Sequence, residues 1–70
     1  MAVEAIEHAV SYLLFLSENF QDDPDKVLIL GPDQAGNILE VIGFYNSGDD
    51  TLLVIHAMSA RTSYLQLLTP

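Results

Sequence analysis

Two long apolar runs separated by a short polar break occupy the middle of the chain, and they leave few folds open to it. Residues 37–45 read Asn-Ile-Leu-Glu-Val-Ile-Gly-Phe-Tyr, residues 46–50 read Asn-Ser-Gly-Asp-Asp, and residues 51–58 read Thr-Leu-Leu-Val-Ile-His-Ala-Met. Branched and aromatic residues suit a pleated surface, and Gly, Asn, Asp and Ser between two such runs signal a β-hairpin. If Tyr45 and Thr51 close it, Phe44 faces Leu52, Ile42 faces Val54 and Glu40 faces His56. Directly opposed side chains have Cβ atoms about 4.5–5.5 Å apart, so the carboxylate of Glu40 would orient the imidazole of His56. A slip of one residue would put the two on opposite faces of the sheet.

The flanking segments supply the other elements. Val3, Ile6, Val10 and Leu13 recur at steps of three and four, with Glu4, Glu7, His8 and Ser11 between them, which predicts an amphipathic helix. Residues 12–16 either complete that helix or turn extended into a first strand running through Phe20. Asp22, Asp23, Pro24 and Asp25 break any regular element. Residues 26–30, Lys-Val-Leu-Ile-Leu, form an apolar run too short for a helix and read as a buried strand. Residues 31–37 follow as a turn in which Gly36 or Asn37 takes a positive φ. Ser59 is a good N-cap for a short last helix with Ala60, Tyr64, Leu67 and Leu68 on one stripe, ended by Thr69 and Pro70. The expected architecture is a single α+β domain over residues 1–70: an N-terminal helix, three or four antiparallel strands and a short C-terminal helix.

Such a short chain buries only about 60% of the surface its unfolded form exposes. With no cysteine, and half of its 70 residues hydrophobic, it must gain stability from packing or self-association. The hairpin alternation sorts Ile38, Ile42, Phe44, Leu52 and Val54 onto one face and Leu39, Val41, Tyr45, Leu53 and Ile55 onto the other. Two short helices would cover one of these faces, and the other predicts a homodimer or a partner chain.

Ten acidic residues against Lys26 and Arg61 give a formal charge of −8. This disfavours RNA and DNA, whose non-specific affinity comes largely from Lys and Arg, and it favours a basic protein partner. No basic leader precedes the first helix and no apolar run approaches the length of a membrane span, so the expected location is the cytoplasm, with no membrane contact.

Two readings of the polar residues follow. In the first, His56 and Glu40 form an acid–base pair, and Arg61 binds an anion at the start of the last helix, as phosphodiester cleavage requires. In the second, the pair is a satisfied polar contact within a sheet and Arg61 makes an ordinary salt bridge; spacing alone favours this one. His8 reads as an i,i+4 partner of Glu4. Asp22, Asp23 and Asp25 lack the ligand order of a calcium loop, the glycines match no phosphate-binding loop, and no serine or cysteine is placed as a nucleophile. No metal or other cofactor is expected.

Residues 30–41, Leu-Gly-Pro-Asp-Gln-Ala-Gly-Asn-Ile-Leu-Glu-Val, and 54–61, Val-Ile-His-Ala-Met-Ser-Ala-Arg, resemble a family of small, mostly actinobacterial toxins of type II toxin–antitoxin modules, related in layout to BrnT and RelE-like ribonucleases. The resemblance extends to residues 6–9 and 64–68. It implies a helix packed on an antiparallel sheet, metal-independent RNA cleavage, and a cognate antitoxin as partner. His8, Glu40, His56 and Arg61 are the positions that match the family pattern. The chain departs from it by carrying Gln34 where arginine is common, Ser11 and Leu14 in place of basic residues, and Thr62-Ser63 in place of Pro-Lys. Members of the family also begin with a further basic stretch, inside which this chain starts.

Overall fold

The computed structural model describes residues 1–69; Pro70, with the expected helix stop, lies outside the described residues. Helix α1 (Val3–Ser11) is followed by strand β1 (Phe15–Ser17), a 3-10 turn (Phe20–Asp22), strands β2 (Lys26–Pro32), β3 (Ile38–Asn46) and β4 (Thr51–Ser59), helix α2 (Thr62–Leu65) and a 3-10 turn (Gln66–Leu68). The strands form one antiparallel meander in the order β1-β2-β3-β4. The α+β architecture expected from the sequence is therefore present, with four strands. No helix among the described residues is long and apolar enough to cross a membrane.

Helix α1 is shorter than its apolar spacing suggests. It ends at Ser11, where the Tyr12 N–H donates to the His8 carbonyl, and Leu13 falls beyond it. The chain then turns extended, with Phe15 opposite Leu30 on β2. Helix α2 starts at Thr62 rather than at Ala60, because Ser59 is still paired with Leu39 as the last residue of β4. Ser59 is therefore a strand residue and not an N-cap.

Both faces of the sheet are covered in part. On one face Val27, Ile29, Leu39 and Val41 pack against Ala5, Ile6, Ala9 and Val10 of α1. On the other, Leu28, Leu30 and Ile42 meet Phe15, Phe20, Ala60, Tyr64 and Leu68. The two helices thus take opposite faces, whereas the sequence suggested that they share one. Gly31 makes the first packing possible: a Cβ there would overlap the Ala9 carbonyl oxygen, so only glycine lets the helix backbone come this close.

The hairpin register is where expectation and structure part. Asn46, not Tyr45, pairs with Thr51, so Tyr45 faces Leu52, Phe44 faces Leu53 and Gly43 faces Val54. Next comes a β-bulge: Ile42 pairs with His56, and Ile55 has no counterpart on β3. Gly43 sits at this irregularity, where a Cβ would lie 2.5 Å from the Leu53 carbonyl oxygen. Beyond the bulge Glu40 faces Met58. The turn shifts the pairing by one residue and the bulge by one more. Leu52 and Val54 consequently join the α1 face, and His56 stays on the face of Glu40 as its diagonal neighbour.

Candidate functional site

Glu40 lies in the middle of β3, opposite Leu30 on one side and Met58 on the other, and it is completely buried. A lone carboxylate in such a place would be costly, so its partners define the site. His56 Nε2 donates to Oε2 at 2.8 Å. Arg61 contributes three further bonds: its backbone N–H reaches Oε1 at 2.9 Å, Nε reaches Oε1 at 3.0 Å and Nη2 reaches Oε2 at 2.9 Å. The guanidinium thus grips both oxygens as a fork, the geometry in which Arg binds carboxylate most strongly. Four donors fill about four lone-pair sites, so the carboxylate has no acceptor capacity left.

The local chain path explains how Arg61 arrives there. The Ala60 N–H donates to the Ile38 carbonyl, extending the ladder one residue past β4, and the chain then turns into α2 with Arg61 as its N-cap residue. Tyr64, one turn along, places its ring 4.7 Å from the guanidinium carbon, and Phe20 meets Tyr64 edge-on. Tyr64 is a member of the site that motif reading leaves out. The three-residue spacing from Arg61 at the start of a helix is the signal that finds it.

Burial pushes the Glu40 carboxyl upward, but the hydrogen bonds from Arg61 and His56 and the guanidinium charge outweigh it, holding the group at about 2. The Arg61 guanidinium is raised in turn, first by its hydrogen bond to Glu40. Glu40 is therefore an anion throughout the physiological range, saturated and unable to act as a base. It fixes the orientation of the other two. Because its oxygens accept only, Nε2 of His56 carries a proton, and in the neutral ring Nδ1 is the acceptor. The His56 side chain is 35% exposed and that of Arg61 is 50% exposed, so both are partly open to solvent.

His8 is elsewhere. Helix α1 packs on the face opposite Glu40, and His8 donates from Nδ1 to the Pro32 carbonyl at 2.7 Å while its ring lies 4.6 Å from that of Tyr12. It ties the helix to the end of β2 instead of pairing with Glu4. The structure brings Glu40, His56 and Arg61 together and leaves His8 outside the cluster. Every buried side-chain polar atom among the described residues has a partner. Among the same residues no group of three or more His, Cys, Asp or Glu is arranged to hold a metal ion. No protein-family model, curated protein or solved structure matches this chain.

Proposed function

We propose that the chain is a toxin-like component of a type II toxin–antitoxin pair, of RelE/BrnT-like layout, and that the Glu40–His56–Arg61 cluster acts on RNA. The observation that carries this reading is that three of the four residues matching the toxin pattern meet through four hydrogen bonds, with the side chains of His56 and Arg61 partly exposed. In the reaction, Nδ1 of His56 takes the proton of the ribose hydroxyl beside the scissile phosphate. The freed oxygen bonds to phosphorus, the bond to the next nucleotide breaks, and the imidazolium returns the proton to the leaving oxygen. The products are a cyclic phosphate and a free hydroxyl end. Arg61 offers the N–H groups that Glu40 does not engage to the developing charge on phosphorus, and Glu40 positions both residues.

The test is cleavage of single-stranded RNA by the purified protein beside His56→Asn and Arg61→Lys, with circular dichroism to confirm that each variant folds. A folded His56→Asn that loses about a hundredfold or more in rate, the usual scale for a proton-transfer group, supports the reading. Wild type that cleaves nothing, or cleavage indifferent to His56→Asn, ends it.

A second reading draws on a different observation. Strand β4 is a nine-residue edge with Leu53 66% and Ile55 53% exposed, and it holds no Lys, Arg, Asp, Glu or Pro to block pairing. The chain is then a noncatalytic acidic interaction module that homodimerises along β4 and binds a basic protein. In that case Glu40, His56 and Arg61 serve only to lock the start of α2 to the sheet. Light scattering that gives 7.7 kDa at every concentration removes this dimer.

A further inference from the structure

On the face away from His56 and Arg61, a groove of about 670 Å³ runs between the end of α1 and the hairpin end of the sheet. Its floor is apolar, built by Val27, Ile29 and Leu52, and the exposed side chains of Leu13 and Leu16 form one wall. Leu13 is 41% and Leu16 44% exposed, although both are in segments that the fold holds in place through the Leu14 N–H bond to the Leu30 carbonyl and the pairing of β1. Three carboxylates stand around this floor, those of Glu18, Asp25 and Asp50.

Among the described residues neither Lys26 nor Arg61 forms an ion pair with them. Lys26 donates its Nζ to Gln21, and Arg61 is bound to Glu40 on the opposite face. Asp50 accepts the Tyr45 hydroxyl, a neutral donor that leaves the charge in place. An apolar floor with uncompensated carboxylates at its rim is complementary to an occupant with an apolar stripe bordered by Lys and Arg. The backbone of the floor narrows the choice further. The floor is a face of the sheet and not its edge: Val27 and Ile29 lie on the inner strand β2 and Leu52 is paired with Tyr45 of β3, so an occupant lying across these side chains finds no main-chain partners. It must satisfy its own backbone, which a helix does.

We infer that this groove docks a basic amphipathic helix of a partner protein, with apolar side chains at i, i+3 or i+4, and i+7 on Val27, Ile29 and Leu52 and with basic side chains toward Glu18, Asp25 and Asp50. The inference does not rest on the ribonuclease reading, since helix docking and RNA cleavage use opposite faces and are measured separately.

Three designed helical peptides test it. The first carries leucines at that spacing with lysine and arginine on both flanks; the second keeps the leucines and replaces every basic residue by glutamate; the third has the composition of the first with the stripe broken. Fluorescence anisotropy should show the first binding at least about tenfold more tightly than the other two. In NMR titrations its shifts should centre on Leu16, Asp25, Val27 and Leu52 and spare His56 and Arg61. The combined Glu18→Gln, Asp25→Asn and Asp50→Asn variant preserves side-chain shape and should weaken binding about tenfold. Raising salt from about 0.05 to about 0.5 M, which shortens the screening length well below 10 Å, should act in the same direction. Leu16→Ser, an exposed change, supplies the apolar counterpart and should weaken binding without unfolding the protein. Equal binding of the three peptides, shifts centred on β4, or a combined variant that binds as well as wild type would overturn the inference. So would light scattering in which the free protein is already a dimer and Leu16→Ser makes it a monomer, since a second copy would then fill the groove.

Discussion

Glu40 shows how one residue sets both the stability and the chemistry of its surroundings. Its carboxyl is lowered in the folded state from 4.5 to about 2, so ionised Glu40 stabilises the fold at every pH above about 4.5, and the contribution disappears as pH falls through about 2. At roughly 1.4 kcal/mol per unit, this contribution is on the order of 3 kcal/mol. Urea denaturation across pH should therefore give a stability limb falling between about 4.5 and 2, and Glu40→Gln should flatten that limb while lowering stability at neutral pH. Asp33 titrates in the same direction: the hydrogen bond from the Asn37 backbone, with those from Ala35, Gly36 and the Asn37 side chain, holds it below its ordinary value. Asp33 is common to the wild type and Glu40→Gln, so the difference between their limbs isolates the cluster. Arg61 is the other half of the argument. Arg61→Ala leaves a buried anion with two remaining donors, the His56 imidazole and the backbone N–H of residue 61, and no facing charge, and should cost about 3–5 kcal/mol, whereas Glu40→Leu combined with Arg61→Met removes both charges and should recover most of it. A double-mutant cycle by thermal and urea unfolding measures the coupling. If Arg61→Ala costs less than about 1 kcal/mol, the guanidinium is not what holds Glu40 ionised.

At the scale of elements, two glycines decide how the pieces meet, and each gives a measurable consequence. Gly31→Ala places a methyl group where the Ala9 carbonyl oxygen sits, so α1 must lift from β2. The expected loss is about 1–3 kcal/mol, as for overpacking in other cores, with amide exchange in Val3–Ser11 accelerating more than in β3. The bulge makes a less obvious prediction. Gly43 pairs with Val54 and Ile42 with His56, so removing Ile55 would join two ladders that are already consistent with each other. Deletion of Ile55 should therefore leave the protein folded with both pairs intact, as cross-strand proton contacts would report, and loss of those contacts would mean that the bulge itself shapes the sheet. The bulge also marks the limit of what the sequence discloses. Alternating side chains identify β3 and its two faces, and the apolar run before Gly31 locates β2, although the strand continues through Gly31 and Pro32, which their punctuation assigns to the turn. Glu40 and His56 could be matched because both lie on strands with clear patterns. Alternation does not say which residues close the turn, so it sends Leu52, Leu53 and Val54 to the wrong faces, and an unpaired residue leaves no trace in an apolar run, so it misses the bulge at Ile55 that keeps His56 on the face of Glu40. Arg61 was visible as a lone cation, but its bond to Glu40 depends on β4 extending through Ser59, which β propensity at residues 57–59 does not reveal.

For the whole molecule, the sign of the salt response separates the ways in which it could associate. The chain carries −8 in 7.7 kDa, and its carboxylates repel one another in the folded state more than in the expanded one. Added salt should raise the melting temperature until screening is complete, as differential scanning fluorimetry at low protein concentration would show. The same repulsion opposes pairing of two copies along β4, so a dimer formed by Leu53 and Ile55 should strengthen with salt. Docking of a basic helix on the carboxylate-rimmed groove should weaken with salt. RNA should respond little: log K falls with log salt by about 0.7 for each phosphate neutralised on a single strand, and Arg61 is the one cation at the cluster. A titration of RNA, the basic peptide and the protein itself between about 0.05 and 0.5 M salt thus yields a nearly flat line, a falling one and a rising one if each interaction takes place where the charges put it. A steep fall for RNA would require several phosphate contacts that Lys26 and Arg61 cannot supply between them, and would place RNA binding in an assembly with a basic partner rather than on this chain alone.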